Sequence, residues 1–214
     1  MNASANISIP SLFIASSLVM VTVFFSYWQK LKLEKEIIIS VIRAIVQLVA
    51  VGYVLEYIFG LQSPLFTTLL LIFMAFNAAY NASKRGKGIK NGLVISFASI
   101  VAGTMATLII LVFSGAIRYQ PYQIIPVGGM IISNAMVALG LCYNQLLSDF
   151  KNKQDEIETK LSLGADILPA SVNIIRESIK TSMLPTIDSA KTLGIVSLPG
   201  MMTGLILAGT SPLE

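Results

Sequence analysis

Long apolar segments alternate with short polar segments along this chain. A membrane-spanning helix needs about 20 apolar residues to cross a hydrocarbon core of ~30 Å, and most of the segments reach that length. Because a helix satisfies its own backbone hydrogen bonds in lipid, the pattern predicts an all-α, polytopic membrane bundle. The predicted spans are residues 7–28, 37–59, 64–82, 91–114, 122–147 and 191–210.

Basic residues collect in every second gap between the predicted spans. The gap at 114–122 holds only Arg118, whereas the alternate gaps hold Lys30, Lys32, Lys35, Lys84, Arg85, Lys87, Lys90, Lys151, Lys153, Lys160, Arg176 and Lys180. Cytoplasmic loops of membrane proteins are enriched in Lys and Arg. We therefore expect a multi-pass protein of the plasma (inner) membrane with its N-terminus outside and the polar insert 148–190 in the cytoplasm.

Composition excludes several classes of protein. Of 214 residues, 55% are hydrophobic and 12% are charged, about half the charged fraction of a soluble domain. The net charge of +4 comes from short loops without interleaved aromatic residues, which does not indicate nucleic acid. There is no histidine and one cysteine, and Gly86-Lys87-Gly88 is too short for a phosphate-binding loop. We expect no enzyme activity, no bound cofactor and no metal site of His or Cys ligands.

The insert 148–190 predicts a short helix, a turn and a second helix. Gly164 stands where a helix C-cap is expected, and Pro169 suits the first turn of the next helix. Apolar residues then recur at helical spacing, which predicts an amphipathic helix over 170–184. Its apolar positions are Val172, Ile175, Ile179 and Met183. Such an insert is either an ordinary connector or a docking element that a soluble partner moves.

Residues 156–165 resemble the coupling loop of an ABC-transporter permease. In such permeases a short helix ending in Leu-Gly-Ala docks into a cleft of the ATPase subunit. Most of the chain, roughly 30–214, is similar to the FetB-type permeases, which are linked to iron export and have plant relatives linked to aluminium tolerance. The matching stretches are residues 43–55, 126–136, 184–192, 197–204 and 211–214.

This resemblance implies a function and a set of partners. Two permease copies would pair with two ATPase subunits that bind ATP and magnesium, and the complex would export a metal ion, with iron as the leading cargo. Family members continue past the 211–214 stretch, so we expect one more span after residue 214. The coupling residues implied are Glu156, Glu158, Leu161, Leu163, Gly164 and Ala165.

Polar and thioether side chains within the spans are candidates for the translocation pathway. They are Arg43, Gln47, Asn77, Asn81, Met130, Asn134, Asp188, Met201 and Met202. The methionines follow predicted helix breaks at Pro126–Gly129 and at Pro199, and broken helices expose carbonyl groups to a cavity. Each candidate also has a structural interpretation: Arg43 reaching the headgroups or pairing with Asp188, asparagines bonding between helices, methionines packing, and Asp188 pairing with Lys191.

Two other classes of function stay open at this stage. An ATP-independent channel or ion-coupled carrier would need acidic residues facing each other in the membrane, and Glu56 is the only one well inside an apolar run. A membrane-embedded enzyme or scaffold is disfavoured by the absence of histidine and of paired carboxylates. An ABC permease for another small solute is the alternative within the same class.

Overall fold

The computed structural model describes residues 9–61 and 63–211, with side chains given from residue 17 onward. The predicted start of the first span at residue 7 and the matching stretch 212–214 lie outside this part. Within it the chain forms eight α-helices and no strand. They are α1 (Ile9–Trp28), α2 (Glu34–Leu61), α3 (Pro64–Arg85), α4 (Gly92–Phe113), α5 (Pro121–Asn152), α6 (Gln154–Ser162), α7 (Ile167–Thr192) and α8 (Gly200–Leu207).

The predicted all-helical membrane architecture is confirmed. Four helices, α2 to α5, are long and apolar enough to cross a bilayer. The described apolar part of α1, Ser17–Trp28, is shorter. The helices belong to two units, which we call the bundle unit, Ile58–Thr192, and the terminal unit, made of the other described residues.

The bundle unit is built on α3, α4 and α5. Its core consists of small and β-branched side chains, which allow close helix contacts: Ala75, Ala78, Ala79, Ile100 and Ile132. Helices α3 and α5 run parallel, because Gly128 lies against Leu71 and Gly140 lies against Arg85. Helix α4, which lies between α3 and α5 in the sequence, runs antiparallel to both.

Helix α5 is continuous from Pro121 to Asn152, although the sequence predicted an irregular stretch near Pro126. That prediction was wrong because Gly128 and Gly129 allow close packing against α3 and do not interrupt α5. A Cβ on Gly128 would lie 2.6 Å from Leu71 Cδ2, and one on Gly129 would lie 2.9 Å from Met74 Cε. The missing side chains let α3 approach α5 closely.

The segment predicted as a sixth span, 191–210, is not one helix. Helix α7 continues through Thr192, and the chain then turns, with the Gly194 N–H donating to the Ser197 carbonyl at 2.8 Å. Helix α8 starts after Pro199 and has eight residues. Proline has no backbone N–H to continue a preceding helix, which explains the break before α8.

The part of α5 between the two loops of the bundle unit is about as long as a bilayer core is thick. Pro121 follows the 114–120 loop at one end, and Tyr143 lies against the 86–91 loop at the other. These residues are 22 positions apart, about 33 Å along a helix, which matches a hydrocarbon core of ~30 Å. Helix α5 then continues past Tyr143 to Asn152, about 14 Å beyond the basic end of the bundle.

Candidate functional site

The turn between α6 and α7 is a rigid helix cap. Gly164 has φ +91°, its N–H donates to the Leu161 carbonyl at 3.0 Å, and the Ala165 N–H donates to the Lys160 carbonyl at 3.0 Å. These two bonds form a Schellman motif, in which glycine takes the left-handed position at no steric cost. The cap predicted at Gly164 is confirmed, and residues 161–168 are called the elbow below.

The elbow carries large apolar side chains that no other part of the chain covers. Leu163 is 83% exposed, Ile167 is 77% exposed and Leu168 is 73% exposed. Helix α6 itself has no buried residue. An apolar patch rimmed by polar residues is typical of a protein-interaction surface. Of the predicted coupling residues, Ala165 is half-buried and the others, from Glu156 to Gly164, are exposed.

Charged side chains stabilise α6 from within. The Lys160 ammonium lies 2.5 Å from Glu156 Oε1, and Gln154 Nε2 donates to Glu158 Oε1 at 2.7 Å. The hydrogen bond and the charge of Lys160 lower the pKa of the Glu156 carboxyl. Asp155 and Glu156 also lie in the first turn, where negative charge complements the helix dipole. Helix α6 is therefore a short, exposed helix with its own stabilising contacts.

Helix α7 packs on α5 through a face of small residues, which differs from the predicted face. Four of its buried residues recur every fourth position, namely Ala170, Ile174, Ser178 and Ser182, and Ser171 is buried beside them; all but Ile174 are small. The Ser178 hydroxyl donates to the Ile174 carbonyl at 2.9 Å, so it needs no partner on α5. The apolar positions predicted to pack, Val172, Ile175, Ile179 and Met183, are half-buried or exposed. Close contact with α5 selects small side chains over large apolar ones.

A buried hydrogen-bonded chain, which nothing in the sequence predicted, joins the helices at the basic end of the bundle unit. The Tyr143 hydroxyl lies 2.9 Å from Ser96 Oγ, which donates to the Gly92 carbonyl at 2.7 Å, so Tyr143 is the donor. A Cβ on Gly86 would lie 2.9 Å from the Tyr143 ring. The basic loop 86–91 is thereby fixed against α5.

A second buried polar group lies further along α5. Gln145 Nε2 donates to Asp149 Oδ1 at 3.0 Å, whereas Asp149 Oδ2 is buried without a hydrogen-bond partner among the described residues. Asp149 belongs to the part of α5 that extends beyond the bundle, where α7 packs. Its burial was not predictable from the sequence, since an acidic residue near a predicted loop is ordinarily solvated.

The predicted pathway residues fall in both units. In the terminal unit, Arg43 and Gln47 are exposed on α2, Met201 is exposed on α8 and Met202 is half-buried. In the bundle unit, Asn77 Nδ2 donates to the Phe73 carbonyl at 3.1 Å, and Asn81 Nδ2 donates to the Asn77 carbonyl at 2.8 Å. These amides bond to their own helix rather than between helices.

Two of the pathway residues, Asn77 and Asn134, lie at a similar depth in the bundle unit. Because α3 and α5 are parallel, Asn77 lies about level with Asn134, while Met130 lies about level with Met74. On α7, Lys191 Nζ lies 3.2 Å from Asp188 Oδ1, as the local-pair interpretation predicted. Asn134 and Met130 are exposed on α5. The described residues contain no group of three or more His, Cys, Asp or Glu side chains that could hold a metal.

Comparison with known proteins decides the family. A family model described as "Uncharacterised protein family (UPF0014)" matches residues 9–214. The chain belongs to the UPF0014 family. The resemblance expected from the sequence is confirmed, and this UPF0014 protein is a multi-pass membrane protein. No solved structure matches the chain.

Named relatives of this UPF0014 chain come from bacteria and plants. It is 51% identical to the "Probable iron export permease protein FetB" of Escherichia coli (strain K12), over 99% of this chain and 82% of that protein. It is 39% identical to "Protein ALUMINUM SENSITIVE 3" of Arabidopsis thaliana, over 92% of this chain and 72% of that protein. It is also 39% identical to "UPF0014 membrane protein YjkA" of Bacillus subtilis (strain 168), over 95% and 82%.

Proposed function

We propose that this protein is the permease subunit of an ABC exporter whose energy comes from a separate ATPase subunit that binds the elbow. The observation that supports this most is the combination of a rigid cap at Gly164 with exposed Leu163, Ile167 and Leu168. A membrane protein gains nothing by exposing these side chains to water, since burying each is worth about 1.5–3 kcal/mol. A partner cleft that covers them recovers that free energy.

The position of the elbow suits it to transmit motion. It follows the part of α5 that extends about 14 Å past the bundle, and α7 returns from it along α5 through the small-residue face. Displacement of the elbow therefore moves two packed helices together. ATP bound by the partner shifts the equilibrium between two permease states only as far as it favours one of them.

The remaining parts of the proposal concern the assembly and the cargo. Two copies of the permease pair with two ATPase subunits, which bind ATP with magnesium and hydrolyse it. The N-terminus lies outside and the elbow lies in the cytoplasm, as the charge asymmetry predicts. A metal ion is the proposed cargo, and the printed name of the Escherichia coli relative supports iron. Asn77 and Asn134, which lie about level on α3 and α5, are the proposed pathway residues. The other pathway candidates stay predictions: Arg43, Gln47, Asn81, Met130, Asp188, Met201 and Met202.

The proposal is tested by co-expressing this chain with a candidate ATP-binding-cassette ATPase from the same genome and measuring their association. Wild-type chain should co-purify with this candidate ATPase, and replacing Leu163→Asp together with Ile167→Asp should abolish co-purification, because both changes place charge in the contact. The control is Leu31→Asp, which alters an exposed leucine in the connector between α1 and α2. Retained co-purification of the double variant, at the wild-type level, would contradict the assignment of the elbow.

A further inference from the structure

Positive charge without a negative partner collects where α3 ends. The bundle unit has no acidic residue before Asp149, and the ion pairs found among the described side chains all lie on α6 and α7. Four basic residues, which we call the basic cluster, lie in the last turn of α3 and in the loop that follows: Lys84, Arg85, Lys87 and Lys90. The chain itself therefore leaves the charge of this cluster uncompensated.

The side chain of Arg85 is positioned by packing on α5. Gly140 leaves room for it, since a Cβ built there would lie 2.7 Å from Arg85 Cδ and 3.0 Å from Nη1. Gly86 leaves room for the Tyr143 ring in the same way, so the start of the loop is also held against α5. Arg85 is nevertheless exposed and makes no hydrogen bond or ion pair to another described residue. Its guanidinium thus offers N–H donors at a defined place on α5 without an acceptor.

The basic cluster lies at the depth of phospholipid headgroups. Helix α3 has 22 residues from Pro64 to Arg85, which span about 32 Å, just more than a hydrocarbon core of ~30 Å. The Lys84 ammonium lies 4.3 Å from the centre of the Tyr80 ring, and tyrosine is enriched at the membrane–water interface. The cluster is therefore level with the phosphate groups of one leaflet.

Aromatic surface extends along α3 from the basic cluster toward the bilayer centre. Phe73, Phe76 and Tyr80 are 61%, 49% and 47% exposed. They precede Lys84 at spacings of three and four residues, which places them along one side of the helix. A lipid tail can lie against this aromatic strip while its phosphate reaches the cluster, whereas a soluble anion would contact the charges alone.

We propose that the basic cluster binds the phosphate of an anionic phospholipid, with phosphatidylglycerol as the test lipid, and that the lipid tail lies along the aromatic strip. Juxtamembrane clusters of about 4–8 Lys and Arg bind anionic lipids, and each basic residue contributes about fivefold in affinity. Arginine also matches a phosphate with paired N–H donors, which makes Arg85 the main contact. This inference goes beyond the proposed function and does not depend on an ATPase.

The test is native mass spectrometry of the permease alone, titrated in detergent micelles with phosphatidylglycerol or phosphatidylcholine. The tightest lipid adduct should favour phosphatidylglycerol at least about fivefold, because phosphatidylcholine has no net charge. Arg85→Gln should weaken phosphatidylglycerol binding about fivefold. Gly140→Ala should have a similar effect, because its methyl group displaces the Arg85 side chain without changing any charge.

Two controls separate a defined site from general charge and from lost stability. Changing the three lysines of the basic cluster to Gln should weaken phosphatidylglycerol binding about 100-fold. Lys30→Gln, Lys32→Gln and Lys35→Gln together remove the same charge near the start of α2 and should leave the tightest adduct unchanged. Gly128→Ala disturbs the contact of α5 with Leu71, away from the cluster, and should also leave it unchanged.

Four results would overturn the proposal. They are equal affinity for both lipids, equal loss in the two lysine triples, unchanged affinity in Arg85→Gln or Gly140→Ala, and displacement of the lipid by an equal concentration of soluble glycerol phosphate. Loss of ATPase co-purification in Arg85→Gln with unchanged lipid affinity would assign the cluster to a protein partner instead. Because the lipid titration contains no ATPase, its outcome and that of the elbow experiment are independent.

Discussion

The elbow offers a perturbation whose effect is purely conformational. Gly164 has φ +91°, and a Cβ added to it would meet no atom within 4 Å. A side chain there is therefore strained by the backbone and not by a clash. The left-handed conformation costs an L-residue about 1–2 kcal/mol, which is roughly a factor of 5–30 in an equilibrium. Asparagine tolerates this region better than alanine, and β-branched valine tolerates it worst.

We therefore expect a graded loss of ATPase coupling in the series Gly164→Asn, Gly164→Ala and Gly164→Val. The valine variant should shift the elbow away from the Schellman geometry and weaken ATPase binding about 5–30-fold, while thermal unfolding of the bundle changes little. The assay is the affinity of the purified ATPase for the permease in nanodiscs, together with ATP hydrolysis by the complex.

Gly88 provides the control for this series. It has φ +112° and equally open surroundings, but it lies in the basic loop between α3 and α4. Gly88→Ala and Gly88→Val should have the same local backbone cost and leave ATPase affinity unchanged. Equal loss in both series, or no order among the three Gly164 variants, would refute the reasoning that elbow geometry sets coupling.

Three further predictions concern packing and charge. Tyr143→Phe removes the hydroxyl that bonds Ser96 at 2.9 Å and should lower stability by about 1 kcal/mol; an unchanged melting temperature in detergent would show that the buried chain contributes nothing. Gly128→Ala places a carbon 2.6 Å from Leu71 Cδ2 and should lower the free energy of unfolding by about 1–3 kcal/mol. The control Gly103→Ala, with nothing within 4 Å of the added carbon, should be neutral or slightly stabilising in the same melting assay. A larger loss in Gly103→Ala than in Gly128→Ala would contradict the packing. Lys160 lowers the pKa of the Glu156 carboxyl. The pair therefore stabilises α6 above the pKa that Glu156 has in the unfolded chain, and this stabilisation is lost as pH falls through its pKa in the folded chain. Lys160→Gln should raise the Glu156 pKa measured by carbon NMR, and an unchanged titration would exclude the pair in solution.

Local signals predicted the elbow well. A left-handed glycine after a short charged helix has few alternatives, so Gly164 and the motif around it were readable from the sequence. The apolar segments likewise predicted α2 to α5, because the length needed to cross hydrocarbon leaves little freedom.

Packing between helices was much harder to predict. Apolar periodicity on α7 indicated Ile179 and Met183 as the packed face, whereas Ser178 and Ser182 are the buried residues. In a membrane protein, large apolar side chains do not distinguish a packed face from a lipid-facing one, since both environments are apolar. The same ambiguity made Gly128 look like a helix break when it serves close contact with Leu71.

The partners in buried hydrogen bonds could not be predicted from the sequence either. The bond from Tyr143 to Ser96 joins residues 47 positions apart, and nothing local marks either residue. Asp188 and Lys191, by contrast, were predicted as a pair because they are neighbours on one helix.

We propose above all that this chain forms a transport pathway, and that a separate ATPase drives it by moving the elbow. The most direct measurement is Mn²⁺ flux in proteoliposomes that contain the permease with or without its co-purifying ATPase and ATP. We predict flux only when both are present, and its loss in the Leu163→Asp, Ile167→Asp variant. Equal flux from the permease alone, without ATP, would contradict the claim.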